Sequence, residues 1–180
     1  MAIRKVFVKG EEILTKHCKP VREITPRVRE LCNDMIDTMR DQDGVGLAAP
    51  QVGVMKRIFV AIPDREDEDN VYVMINPEIL EKSGEQECVE GCLSVPGYVG
   101  HVKRPMTVRV KALDIDGNEQ EYEFSGFGAN VICHEYDHLE GILYTDIARD
   151  VMTNEEYDKL LKEKEEDLKR KMSVKGGMSV

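Results

Sequence analysis

The chain has 180 residues, 41% hydrophobic and 33% charged, which is enough apolar material for one core and too much for a wholly disordered chain. A formal charge of −10 argues against a main role in coating nucleic acid, DNA included, or anionic membrane. Five cysteines, an odd number, and a start without an apolar signal region point to a reducing, cytoplasmic compartment, and no apolar run approaches the roughly 18 residues of a membrane helix.

Residues 25–41 read as the first helix, with Thr25 as N-cap, Pro26 at the first position, and Val28, Leu31, Met35 and Met39 recurring every three or four residues. The small-residue segment 44–51 breaks that period. Residues 57–62 and 71–75 then read as buried strands joined by a charged loop, and Pro77 is expected to end the second. Residues 107–112 and 120–124 alternate in and out, with Asp116-Gly117 supplying hairpin-turn chemistry between them. From Phe127 to Glu140 the period is helical, and Gly141 stands where a left-handed cap is expected. A last helix is predicted over 154–172, with Tyr157, Leu160, Leu161 and Leu168 on one side. The acidity is concentrated in 64–69, 78–90 and 114–123, short segments that read as solvated turns and one strand face. The expected fold is a single α+β domain, residues 1–172, with a mostly antiparallel sheet around a central helix and helices near both ends. Residues 173–180 are expected to be a flexible tail.

His134-Glu135-Tyr136-Asp137-His138 is the most informative stretch. Residues four apart lie one above the other on a helix, so His134 and His138 can share one cation, while Glu135, roughly 100° round, sits beside it. This is the metallohydrolase pattern, in which the glutamate carries a proton for water at the metal. A catalytic site of this kind needs a third protein ligand and an open position. No histidine follows His138, and the glutamates from Glu155 onward lie on a mixed-charge helix. Upstream, the thiol of Cys92 follows Gly91 and precedes a strand-like run, which makes it the candidate third ligand.

With Gly44-Val45-Gly46-Leu47-Ala48-Ala49-Pro50-Gln51, Glu90-Gly91-Cys92-Leu93-Ser94 and His134-Glu135-Tyr136-Asp137-His138-Leu139 in that order, the chain resembles the peptide deformylases over nearly its whole length. The resemblance implies a metal-dependent amidohydrolase that removes the N-formyl group from the starting methionine of new proteins and releases formate. It implies Cys92, His134 and His138 as ligands of one divalent metal, iron(II) in the cell with zinc or nickel in purified protein, and Glu135 as general base and acid. It implies the Gln51 amide and the Leu93 N–H as donors to the oxyanion. The substrate would bind as an extended strand near Gly46 and near Gly97-Tyr98, its methionine side chain in a pocket including Val45, Gly46, Leu93, Phe127 and Val131. Glu90, Arg104 and Asp137 are candidates to hold the ligands from behind. Two residues depart from the commoner family pattern: Cys133, where many members have glutamine, and Asn130, where arginine or a branched aliphatic is frequent. Cys133 reads as a packed thiol, whereas Asn130 shares the His134 face one turn earlier. His17 and His101 read as surface residues.

The expected partners are formyl-methionyl nascent chains, and Lys169-Arg170-Lys171 offers a contact to the ribosome surface; a monomer is expected. Two competing readings exist. An ordinary zinc peptidase requires a third ligand after His138, and a non-catalytic zinc module requires a fourth ligand that neither Cys88 nor Cys133 supplies.

Overall fold

Thr25 Oγ1 accepts the N–H of Val28 and Pro26 occupies the first turn, so helix α1 runs Pro26–Asp41, as its spacing predicts. The structure is a computed structural model that describes residues 2–176, with side chains through Met172. Leu31, Met35 and Met39 of α1 are buried. They face one side of a five-stranded antiparallel sheet made of β1 (Gly46–Ala48), β2 (Ile58–Ala61), β3 (Tyr72–Ser83), β6 (Thr107–Leu113) and β7 (Glu119–Ser125), in that spatial order.

Strand β2 shows why its sequence is apolar at every position. Ile58 and Val60 pack toward α1, while Phe59 and Ala61 pack with Ala129, Ile132 and Cys133 of helix α2 (Phe127–Leu139). Helix α2 is thus covered by the sheet on one side. A second, three-stranded sheet of β4 (Gln86–Cys92), β5 (Val95–Arg104) and β8 (Val151–Thr153) lies on its other side, where Val95, Val102, Leu143 and Tyr144 form a smaller core with Leu14. A short helix α3 (Tyr144–Ile147) leads into β8, and α4 (Asn154–Gly176) follows. The architecture is the expected α+β domain around a central helix, with its strands divided between two sheets.

Three local expectations change. Pro77 does not end the second strand: β3 continues to Ser83 through a register shift between Ile75 and Glu78. There Asn76 adopts φ +51° and its side chain pairs with the backbone of Val21 in both directions, so the proline sits at a bulge, where its missing N–H breaks no ladder bond. The turn after β6 is a five-residue loop, 114–118, in which the Asp114 carboxylate accepts the N–H groups of Asp116 and Asn118 and Gly117 takes φ +89°. Helix α4 runs to Gly176, four residues beyond its predicted end, and only its first turns are covered, since Leu161 and Leu168 are exposed. The rest of the expected tail, 177–180, lies outside the described residues. Gly141 has the left-handed conformation expected after α2, and a β-carbon there would stand 2.6 Å from the carbonyl carbon of Thr15. No helix is long and apolar enough to cross a membrane among the described residues.

Candidate metal centre and its cavity

Helix α2 presents His134 and His138 one turn apart on the same face, with ring centroids 5.0 Å apart. The end of β4 brings Cys92 to them. A register shift between Glu90 and Cys92 re-aims the strand so that Cys92 Sγ lies 3.3 Å from His138 Nε2. Ligand atoms of Cys92, His134 and His138 all lie within 4.8 Å of one another, the one such cluster among the described residues. Two imidazoles and a thiol at this spacing fit a tetrahedral divalent ion with one position left open, and the donor set suits zinc, nickel or ferrous iron. Burial holds the pKa of His138 well below its ordinary value, so it is the neutral imidazole that ligation requires.

Behind the histidines lies a buried charge chain. Glu90 Oε2 is 2.8 Å from His134 Nδ1, which directs Nε2 of that ring away from the carboxylate. Arg104 donates to both oxygens of Glu90, at 2.6 and 3.0 Å, and to Asp137 at 2.6 Å. Burial alone would raise the Glu90 pKa, but the hydrogen bonds from His134 and Arg104 outweigh it and hold that carboxyl at about 2. The three candidates for support thus form one chain from Asp137 through Arg104 and Glu90 to His134.

Glu135 is 4% exposed, and its Oε2 has no hydrogen-bond partner among the described residues. Burial pushes its carboxyl up to about 7. Gln51 is fixed at both ends of its amide: Oε1 accepts the N–H of Ala48 at 2.8 Å, and Nε2 donates to Ser94 Oγ at 3.1 Å and to Cys92 Sγ at 3.4 Å. Leu93 follows Cys92 in the same turn.

A cavity of about 490 Å³ opens beside this cluster. Its lining includes Gln51, Cys92, Leu93, His134 and Glu135, together with Val45, Gly46, Phe127, Val131, Gly97 and Tyr98, so the residues expected to touch substrate share one space. His138, Arg104 and Asp137 lie outside the lining. Asn130 lines the cavity and leaves its Oδ1 buried without a partner among the described residues, while Cys133 is buried in the core with its thiol pushed up to about 11 by burial. His17 is exposed beside Glu140, as expected, but His101 is half-buried against Tyr157 rather than on the surface.

Two residues of the site carry no sequence-level expectation. Ser94 is fully buried, its hydroxyl takes the Gln51 amide and its N–H points to Cys92 Sγ at 3.4 Å. A hydroxyl two residues from the thiol was the signal for it. Tyr144 is buried, its ring stacks against His134 at 6.1 Å, and its hydroxyl donates to the carbonyl of Tyr98 at 3.0 Å. Nothing in the local pattern around Tyr144 marks it.

Comparison with known proteins gives a consistent result. The family model described as polypeptide deformylase matches residues 3–154. Peptide deformylase 1 of Clostridium perfringens is 53% identical over 146 residues, 81% of this chain and 98% of that protein. Among solved structures, a peptide deformylase from Thermotoga maritima superposes with a TM-score of 0.79 at 36% identity, covering 83% of this chain and all (100%) of that one. A class I type b peptide deformylase from Acinetobacter baumannii, bound to Met-Ala-Ser, superposes with a TM-score of 0.76 at 39% identity, covering 81% of this chain and 98% of that one.

Proposed function

The chain belongs to the polypeptide deformylase family, and from that premise we propose how its own residues carry out the reaction. The activity is metal-dependent removal of the N-formyl group from the N-terminal methionine of new polypeptides, with release of formate. The observation that carries the assignment of roles is the Cys92, His134 and His138 cluster beside the cavity, next to the buried Glu135, whose Oε2 has no hydrogen-bond partner among the described residues.

Cys92, His134 and His138 hold the metal. When bound, a divalent cation supplies Lewis-acid polarisation of the formyl carbonyl and acidifies water beside it. Glu135, with its pKa near 7, accepts a proton from the attacking water and passes it to the departing amine. The Gln51 amide, already anchored through Oε1, and the Leu93 N–H donate to the oxygen on which charge develops; losing one such donor typically raises the barrier by about 3 kcal/mol. The peptide lies as an added strand near Gly46 and Gly97-Tyr98, with its methionine side chain toward Val45, Leu93, Phe127 and Val131. Glu90, Arg104 and Asp137 orient His134 from behind.

We read iron(II) as the working ion in the cell, with zinc or nickel able to take the same donor set in purified protein. The protein acts as a monomer in the cytoplasm on nascent chains. Helix α4 offers Lys169, Arg170 and Lys171 to the ribosome, where Arg170 and Lys171 already pair with Glu166 and Asp167 one turn back. The deciding experiment is formate release from a formyl-methionyl peptide by wild type and Glu135→Ala, with the metal identified in anaerobically purified protein. Strong release by wild type and loss of at least about 100-fold in the variant are expected; equal release by both would overturn the role of Glu135.

A further inference from the structure

Residues 2–9 form an arm that ties three parts of the molecule together. At its start, the Ala2 N–H donates to Asp34 Oδ1 at 2.8 Å and the Arg4 guanidinium grips Asp34 Oδ2 at 2.9 and 3.1 Å, while the Arg4 N–H reaches Thr38 Oγ1 at 2.9 Å. The arm is therefore anchored on α1. Further along, the Phe7 N–H donates to the carbonyl of Gln51 at 2.8 Å, and the Lys9 N–H donates to the carbonyl of Ser94 at 2.7 Å. Those carbonyls belong to different segments, the turn after β1 and the turn between β4 and β5. Residues two apart on an extended chain direct their N–H groups to one edge, roughly 6.6 Å apart. The arm thus links Gln51 to Ser94 through two N–H groups two residues apart.

That link bears on the reaction as proposed above, because Gln51 and Leu93, the neighbour of Ser94, are the two donors to the oxyanion. We propose that the arm is a positioning element for the oxyanion donors, acting through the Lys9 and Phe7 N–H groups. Preorganised donors work only if their separation is held before charge develops. The cross-link between the two turns on the inner side is made by side chains, from Gln51 Nε2 to Ser94 Oγ and Cys92 Sγ. The arm closes the same pair of turns through backbone on the other side.

The local backbone provides a clean test. A turn runs from Val8 to Glu11, closed by the Glu11 N–H to the Val8 carbonyl at 3.1 Å, and Gly10 in its third position has φ +105°. This is the type II pattern, whose second position, Lys9, has the φ that proline prefers. Lys9→Pro therefore removes the hydrogen bond to Ser94 and keeps the turn. Lys9→Ala is the comparator: like the proline variant it loses the contact from Lys9 Nζ to Thr145 Oγ1 at 2.8 Å, but it keeps the N–H.

In formate-release assays of metal-loaded protein, kcat of Lys9→Pro should fall about 10-fold below that of Lys9→Ala, with KM within about 2-fold and equal metal content. In a Gln51→Ala background, the same exchange should lose part of its effect, because one of the two donors whose separation the arm holds is already gone. A merely structural role would give the same fold-loss in both backgrounds, and that result, or equal kcat for the proline and alanine variants, overturns the proposal. Arg4→Ala, which loosens the anchor on Asp34, gives a second route to the same comparison if Lys9→Pro does not fold, with a smaller kcat loss that again shrinks in the Gln51→Ala background. Absence of formate release from wild type would instead overturn the assignment of roles on which the inference rests.

Discussion

Gly46 lies so close to Glu135 that a β-carbon on it would stand 2.6 Å from Glu135 Cδ. The strand β1 and the helix α2 can approach as they do because position 46 carries no side chain, and the carboxyl is held at the cavity wall as a result. Gly46→Ala should therefore shift Glu135 and lower kcat/KM for deformylation by at least about 10-fold. Metal content should be retained, since the three atoms nearest the new methyl group all belong to Glu135. Steady-state kinetics with metal analysis checks this, and an active Gly46→Ala enzyme would show that the carboxyl has room the structure does not display.

The raised pKa of Glu135 has a cost in stability whose sign is fixed by linkage. Burial lifts its folded value to about 7 from an ordinary 4.5. The folded protein thus holds a proton between those values that the unfolded chain has released, and stability contributed by the neutral acid is full below about 4.5 and lost as pH rises through about 7. In metal-free protein, Glu135→Gln should be more stable than wild type at pH 8, by roughly 3 kcal/mol at most, and equal to it at pH 4. Denaturant melts at the two pH values measure the difference; a variant less stable at pH 8 would contradict the desolvation argument.

Arg104 is 6% exposed and its removal leaves two carboxylates, Glu90 and Asp137, without their cation. Breaking a buried pair from one side typically destabilises by about 3–5 kcal/mol. Arg104→Ala should fall in that range and should also lose about 10- to 100-fold in metal affinity, because Glu90 no longer holds His134 in a defined orientation. Metal competition with a chelator reads the second effect, and unchanged affinity would confine Arg104 to a stabilising role.

Cys18, Cys32 and Cys133 have thiols pushed up to about 11, in each case chiefly by burial. The thiolate is the reactive form, so alkylation of native protein at pH 8 should leave these three unmodified over a time in which unfolded protein reacts at all five cysteines. Mass spectrometry of the modified peptides reports the pattern. Modification of Cys32, the most enclosed of them, would reveal an opening of α1 away from the sheet.

Much of this protein was legible before any coordinate was known. The capped helix α1, the apolar run of β2 and the alternation of β6 and β7 are local patterns whose period states both the element and its buried face. The spacing of His134 and His138 works the same way, since a helix brings residues four apart together without help from the rest of the chain. The hairpin of β4 and β5 was legible only in part: the run after Cys92 read as strand-like, but its pairing partners did not show, because β5 pairs on one side with β4 and on the other with β8, far along the chain.

By itself, the sequence determined the helix that carries His134, His138 and the glutamate beside them, and its motif order pointed to the family. Only the tertiary structure decided that Cys92 reaches His138, that Glu90 and Arg104 stand behind His134, that Tyr144 braces that ring, and that the arm at residues 2–9 spans Gln51 and Ser94. The physical reason is range. Helical neighbours are set by backbone geometry within one turn, whereas these partners lie tens of residues apart and meet only when the burial of two sheets against α2 has placed them.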